Sequence, residues 1–237
     1  AVVVLLASLL VIGLYAPKGK QLSFKNIQFS SQPVAVGVPN SVVFNYNAAE
    51  SNADSVFIQQ NWDKRRRYRV DKNAHQFVST YYRPGYFRSK LVMDDSVVLE
   101  HDLYIETDGW LGTFDGDLVP VYFAKTEVEK NGVIGLNEAD LMAKGIDLSK
   151  KTAEISFFKV EKSMSVPDDN FNMEVELKNT CTKSDGICRH TQIILFGDEG
   201  HIVLPLSIKG CAGELALTIA SEHFEGKNKD LSAFGVD

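Results

Sequence analysis

The sequence predicts a mainly β chain: an N-terminal membrane helix, a β-sandwich, and then a second sandwich expected to be incomplete. Three observations predict it. Short apolar runs recur at close spacing between turn residues. Only one soluble stretch carries both a helical start and a helical stop. The chain also opens on sixteen residues without a charge, Ala1 to Ala16. Period-two runs punctuated by Gly, Pro and Asn are what short strands need.

The opening run, AVVVLLASLLVIGLYA, is apolar on every face and stops at Pro17-Lys18-Gly19-Lys20. A spanning helix takes ~20 residues, and the chain begins inside the run without Met. We therefore expect a truncated membrane anchor over residues 1–17 and a fragment of a longer protein. A signal-peptide core, ~7–15 residues long, is the main rival, and a buried helix the third reading. Tyr15, Lys18 and Lys20 suit the interface and headgroup level. Lys18, Lys20 and Lys25 after the span point by the positive-inside rule to the cytoplasm. The β-rich character and the cysteines point the other way, and we expect an extracytoplasmic globular part.

Residues 21–106 are expected to form the first sandwich. Leu22-Ser23-Phe24, Ile27-Gln28-Phe29, Val34-Ala35-Val36, Ser41 to Tyr46, Ser55 to Trp62 and Val97 to Ile105 read as strands, with breaks at Ser30 to Pro33 and Gly37 to Asn40. The clearest is the strand after Pro84-Gly85, where Phe87, Ser89, Leu91 and Met93 alternate with Arg88 and Lys90. A Pro-Gly turn feeding such alternation fits a half-buried strand of an antiparallel sheet.

Trp62-Asp63, Tyr81, Pro84-Gly85, Phe87, Leu91 and Met93 together resemble the PKD domain, an immunoglobulin-like fold of extracellular proteins. The resemblance spans about residues 25–106 and implies a scaffold without naming a ligand. It breaks after Asp63, where the family usually continues Phe-Gly-Asp-Gly and this chain has Lys64-Arg65-Arg66-Arg67. Anchor, domain and following region together look like a group of uncharacterised membrane-anchored Bacteroidetes proteins. The run Lys64, Arg65, Arg66, Arg67, Tyr68, Arg69 is the candidate anion contact, with Tyr68 as a stacking surface. The blander reading is a solvated hairpin, since edge strands carry cations that block sheet-to-sheet pairing.

Residues 107–153 read as a connector with a strand from Leu118 to Phe123 and one short helix. Asn137 can cap it, Asp140 sits at its third position, and Gly145 stops it. The pairs Asp108-Gly109 and Asp115-Gly116 read as turns, because neither has the spacing of a calcium loop. Strands are expected to return over residues 154–237: Ile155 to Phe158, Phe171 to Leu177, Thr191 to Phe196 and Ile202 to Leu206. The stretch Asp169-Asn170-Phe171 to Leu177 with the hairpin after it resembles the opening strands of concanavalin-like (laminin-G-like) jelly rolls.

With Glu199-Gly200 as a two-residue loop, paired residue numbers sum to 399, so Cys188 faces Cys211 within reach of a disulfide. Cys181 with Cys188 is the competing pair, and all three reduced is the third possibility. Cys181, Cys188 and His190 offer too few ligands for a structural zinc.

The net charge is −6, from 25 Lys and Arg against 31 Asp and Glu, which argues against a nucleic-acid partner. It is uneven: residues 20–106 carry 11 basic and 9 acidic residues (+2), and residues 107–237 carry 13 and 22 (−9). Gly-x-Ser-x-Gly, a phosphate loop and His-Glu-x-x-His are all absent. Glu174 and Glu176 share a strand face but lack the Glu-x-Asp-x-x-Glu pattern of the jelly-roll glycosidases. We expect no catalytic residues and no cofactor. The expected function is binding of glycan or an envelope protein, from a cell-membrane anchor with the sandwiches outside. A glycan-acting enzyme whose catalytic strand lies beyond Asp237, and a structural or sensor ectodomain, are the alternatives.

Overall fold

A computed structural model describes residues 20–61, 63–115, 119–149, 154–164, 170–181, 186–197, 200–220, 222–227 and 230–236. The expected anchor and Trp62 lie outside the described residues. Among those described, no helix is long and apolar enough to cross a membrane. The chain is mainly β, with several antiparallel sheets.

Seven strands make the first unit: β1 (Gln28–Pro33), β2 (Asn40–Asn47), β3 (Val56–Gln59), β4 (Arg67–Val70), β5 (Gln76–Tyr81), β6 (Gly85–Met93) and β7 (Ser96–Ile105). They form two sheets, β1-β2-β5 and β4-β3-β6-β7. The sheets share one core, because the period-two side chains of each put their apolar members inward. Val42, Phe44 and Tyr46 come from β2, Val56 and Ile58 from β3, Leu91 and Met93 from β6, Leu103 and Ile105 from β7. Tyr81 closes the core from β5; its ring meets Phe87 edge-on at 4.9 Å. The Tyr81 and Ser89 hydroxyls both donate to the Gln60 carbonyl, which satisfies polar groups that burial would otherwise strand.

Three expectations change here, the first being that Leu22-Ser23-Phe24 is not a strand but makes only an isolated bridge from Phe24 to Ser51. Residues 30–33 continue β1 rather than breaking it. Pro33 is tolerated because β1 is an edge strand, with one side free of ladder bonds. Residues 34–36 are not a strand. They belong to the turn through Gly37, whose φ of 91° only glycine adopts easily.

The expected connector has a sheet and a core of its own. Strands β8 (Leu111–Asp115) and β9 (Val121–Phe123) pair with β12 (Glu154–Phe158) in the order β12-β8-β9. The sheet therefore runs across the boundary expected at residue 153. Two short helices pack on it: α1 (Lys125–Val128) and α2 (Glu138–Ala143). Between them β10 (Glu129–Lys130) and β11 (Val133–Ile134) form a hairpin on Asn131-Gly132, both at positive φ. In α2 the Asn137 side chain accepts from the Asp140 N–H, and Asp140 accepts from the Asn137 N–H. At the far end Ile146 N–H reaches the Leu141 carbonyl and Gly145 N–H the Met142 carbonyl, with Gly145 at φ 77°. That pair of bonds is a Schellman stop. Leu141 and Ile146 then bury together with Phe114, Phe123 and Val128.

The last unit is the sheet β13-β14-β15-β16, from β13 (Thr191–Gly197), β14 (Gly200–Ile208), β15 (Ala216–Ala220) and β16 (Glu222–Glu225), with β17 (Gly235–Val236) parallel to β14. Its buried core is small: Ala212, Leu215 and Leu231. Residues 170–181 are exposed and carry no strand, so the expected strand from Phe171 to Leu177 is absent. Among the described residues no neighbouring strand supplies the ladder bonds that local alternation requires.

Candidate functional site

The basic run does not gather into one surface. Lys64, Arg65 and Arg66 form a 3₁₀ turn (Lys64–Arg66) capped by Asp63, which accepts from the Arg65 N–H. The Arg65 guanidinium also binds Asp63, at 2.9 Å. That side-chain bond, with the backbone bond, holds the Asp63 carboxyl below its ordinary range. Arg67 and Arg69 stand on β4, an edge strand. Arg67 donates to Gln59 Oε1 and lies 5.5 Å over the Phe57 ring, while Arg69 donates to the Asp54 carbonyl. Tyr68, between them, points to the opposite face, where its ring lies 5.6 Å from Phe77. Alternation thus separates the expected stacking surface from the cations on either side of it.

A different surface of the same sandwich is free of charge and rich in hydrogen-bonding groups. The outward side of β1-β2-β5 presents Gln28, Ser30 and Gln32 from β1, Ser41, Val43, Asn45 and Asn47 from β2, and Gln76, Val78 and Thr80 from β5. None of these ten is charged, in a chain that is 24% charged. The register sets Ser30, Asn45 and Gln76 in one row across three strands, with Gln28 beside Asn47. A depression of about 640 Å³ opens there, bounded by Gln28, Ser30, Asn45, Asn47, His75 and Gln76. Asn45 accepts from the Gln76 amide at 2.9 Å, which fixes both. Amides and hydroxyls both donate and accept, so the row can meet a ligand of mixed hydrogen-bonding character. The signal was present in the sequence as the polar alternation of residues 28–32 and 41–47.

In the last unit Cys188 and Cys211 are joined by a disulfide, with Cα atoms 5.7 Å apart. The register that suggested the pair is wrong by two residues. Gly197 pairs with Gly200 and Thr191 with Leu206, so paired numbers sum to 397. Both cysteines lie beyond the ladder, in the 3₁₀ turns Gly186–Cys188 and Lys209–Glu214. Pro205 sits opposite Gln192 without a bulge. Cys181 is exposed and keeps its thiol. The donor atoms of Cys188, His190 and Glu214 lie within 4.8 Å of one another. Glu214 was not singled out by sequence, though it stands three residues after Cys211 on a 3₁₀ turn.

The remaining acidic candidates are accounted for singly. Glu174 and Glu176 are on the exposed stretch without a sheet. Asp115 is held by Arg83 at 2.9 Å, an ion pair that ties the first sandwich to the β12-β8-β9 sheet. Thr107 with Val160, and the Tyr122 hydroxyl on the Tyr82 carbonyl, add to the same junction. Compared with protein families, curated proteins and solved structures, the chain matches none of them.

Proposed function

We propose that this chain is the extracytoplasmic part of a membrane-anchored envelope protein that binds neutral glycan through an immunoglobulin-like first sandwich. The uncharged amide and hydroxyl face of β1-β2-β5 carries the reading. Sugar hydroxyls are donors and acceptors at once, and the row Ser30, Asn45, Gln76 offers both. The immunoglobulin-like assignment is supported by the division of seven antiparallel strands into 1-2-5 and 4-3-6-7, which follows such sandwiches except that the fourth strand pairs with the third instead of the fifth. The disulfide favours an oxidising compartment. The role is one of binding, without catalysis.

A glycan array probed with the folded chain and with Asn45→Ala/Gln76→Ala tests this. The expected result is binding to uncharged oligosaccharides that the double variant loses. Failure of the unaltered chain to bind any of them sinks the glycan reading. Protease accessibility in intact against permeabilised cells tests the orientation. A second reading, an ectodomain that assembles with an envelope protein, is favoured by Phe171, Met173, Val175 and Leu177. They alternate with period two and are each 39–48% exposed, which is apolar area of the kind protein partners cover.

A further inference from the structure

We propose that Cys188, Cys211, His190 and Glu214 form a redox-gated site for a divalent zinc-class ion, closed while the Cys188–Cys211 bridge stands and created when it opens. The donor atoms of Cys188, His190 and Glu214 already lie within 4.8 Å of one another, and Cys211 Sγ is bonded to Cys188 Sγ. Two structural elements bring them together. Cys211 and Glu214 are three apart in the 3₁₀ turn Lys209–Glu214, and side chains at that spacing eclipse in such a turn. Cys188 ends the turn Gly186–Cys188, and His190 follows two residues on, at the mouth of β13.

The set is two sulfurs, an imidazole and a carboxylate. That is the four-ligand, borderline-soft complement of zinc, whereas calcium and magnesium require oxygen. With Zn–S of about 2.3 Å and Zn–N of about 2.0–2.1 Å, tetrahedral donors stand about 3.5 Å apart. Closing Cys188, His190 and Glu214 from within 4.8 Å is a movement of about 1 Å, and His190 and Glu214 are exposed side chains able to make it, while the Cys211 sulfur swings in by side-chain rotation once its bond to Cys188 is broken. A depression of about 140 Å³ bordered by His190, Gln192, Pro205 and Glu214 provides an entry path.

The bridge is the gate because thiolates, and not disulfide sulfurs, are the metal ligands. While it stands, only His190 and Glu214 remain, two ligands where a structural site takes four. A dithiol reductant opens it: two electrons pass to the protein sulfurs, two thiols form, and the reductant leaves as its own disulfide. Binding of Zn²⁺ then displaces one proton from each thiol, so two protons are released per ion.

The experiment uses the whole chain, freed of metal by a chelator, oxidised or reduced with a phosphine that does not itself supply thiols. Co²⁺ is titrated as a visible probe and then displaced with Zn²⁺. The reduced chain is expected to take one Co²⁺ with thiolate charge-transfer absorption, bleached by one equivalent of Zn²⁺, and the oxidised chain none. Reduced His190→Ala and Glu214→Gln variants, each first shown to fold when oxidised, are expected to bind Zn²⁺ about tenfold or more weakly. Zinc is also expected to restore amide protection to residues 200–220 if reduction has lowered it. The proposal is overturned if the reduced chain binds no more tightly than the oxidised one. It is equally overturned if the doubly substituted H190A/E214Q chain binds as the unaltered chain does.

Discussion

Replacing both bridged cysteines, Cys188→Ser with Cys211→Ser, is the sharpest test of what holds the last unit together. The bridge closes a loop of sequence separation 23. The loop-closure expression gives about 11 cal/mol/K for that length, or about 3.4 kcal/mol at 25 °C. The buried core of the unit is Ala212, Leu215 and Leu231, and each of its two leucines contributes about 1.5–3 kcal/mol before any entropy is counted. The bridge is thus as large as the packing it accompanies. Hydrogen exchange read by peptide should show protection over residues 200–220 falling by about 300-fold, the equivalent of 3.4 kcal/mol. The β1–β7 sandwich, whose core contains none of these residues, should keep its protection. A change of less than tenfold at 200–220 would refute the reasoning, and so would an equal loss in both units. The double variant lacks both thiolates, so this outcome is independent of any metal.

Gly112→Ala should cost about 1–3 kcal/mol, because a Cβ at Gly112 would stand 2.8 Å from Val128 Cγ1 and 3.2 Å from Phe123 Cβ. Gly135→Ala, where nothing lies within 4 Å, is the control, and urea midpoints compare the two. His101, whose Nε2 meets the Ser31 hydroxyl at 2.6 Å, has its pKa lowered by burial, against the opposing pull of Asp102. The folded chain therefore binds this proton less readily than the unfolded one, whose histidine titrates near ~6.5. The contribution is complete above ~6.5 and is lost as pH falls through the folded value. His101→Gln should flatten the decline of the urea midpoint between pH 7.5 and 5.5. An unchanged slope would show that burial of this ring does not govern the acid limb.

Local signals were read well where local chemistry decides. The α2 helix is set by the Asn137–Asp140 capping bonds and the Gly145 stop, all within nine residues. The alternation of β6 is likewise set by its own side chains, with Ser89, Leu91 and Met93 each fully buried. Register was a different matter. A shift of paired sums from 399 to 397 moves every partner by two residues, which leaves each side chain on its original face. Hydrophobic alternation, which a one-residue slip would violate, is blind to a two-residue slip. Non-local pairing was also hidden. Phe158 faces Leu111 and Glu154 faces Asp115 across some forty residues, and nothing in either strand names the other. The hairpin at Asn131-Gly132, by contrast, went unread although the dipeptide itself carries the signal for such a turn.

Of the two surfaces on the first sandwich, the uncharged one is the better placed to meet a ligand, and the reason lies in how the cations are used. Residues 20–106 carry a net +2, yet many of their guanidinium groups face an internal partner. Arg65 is bound to Asp63, Arg83 to Asp115, and Arg88 to Glu100 and Asp102. Arg67 donates to Gln59 and Arg69 to the Asp54 carbonyl. An incoming anion would have to displace these contacts before gaining its own, so exposed charge here converts poorly into affinity. The row Ser30, Asn45, Gln76 has one internal bond, between Asn45 and Gln76. Most of its donor and acceptor capacity remains turned to solvent, on strands whose backbone is already ordered by the ladder. What sets the proposed binding face apart in this fold is therefore unspent hydrogen-bonding capacity, held by eight of the ten outward positions of β1-β2-β5, beside Val43 and Val78 and without a charge among them.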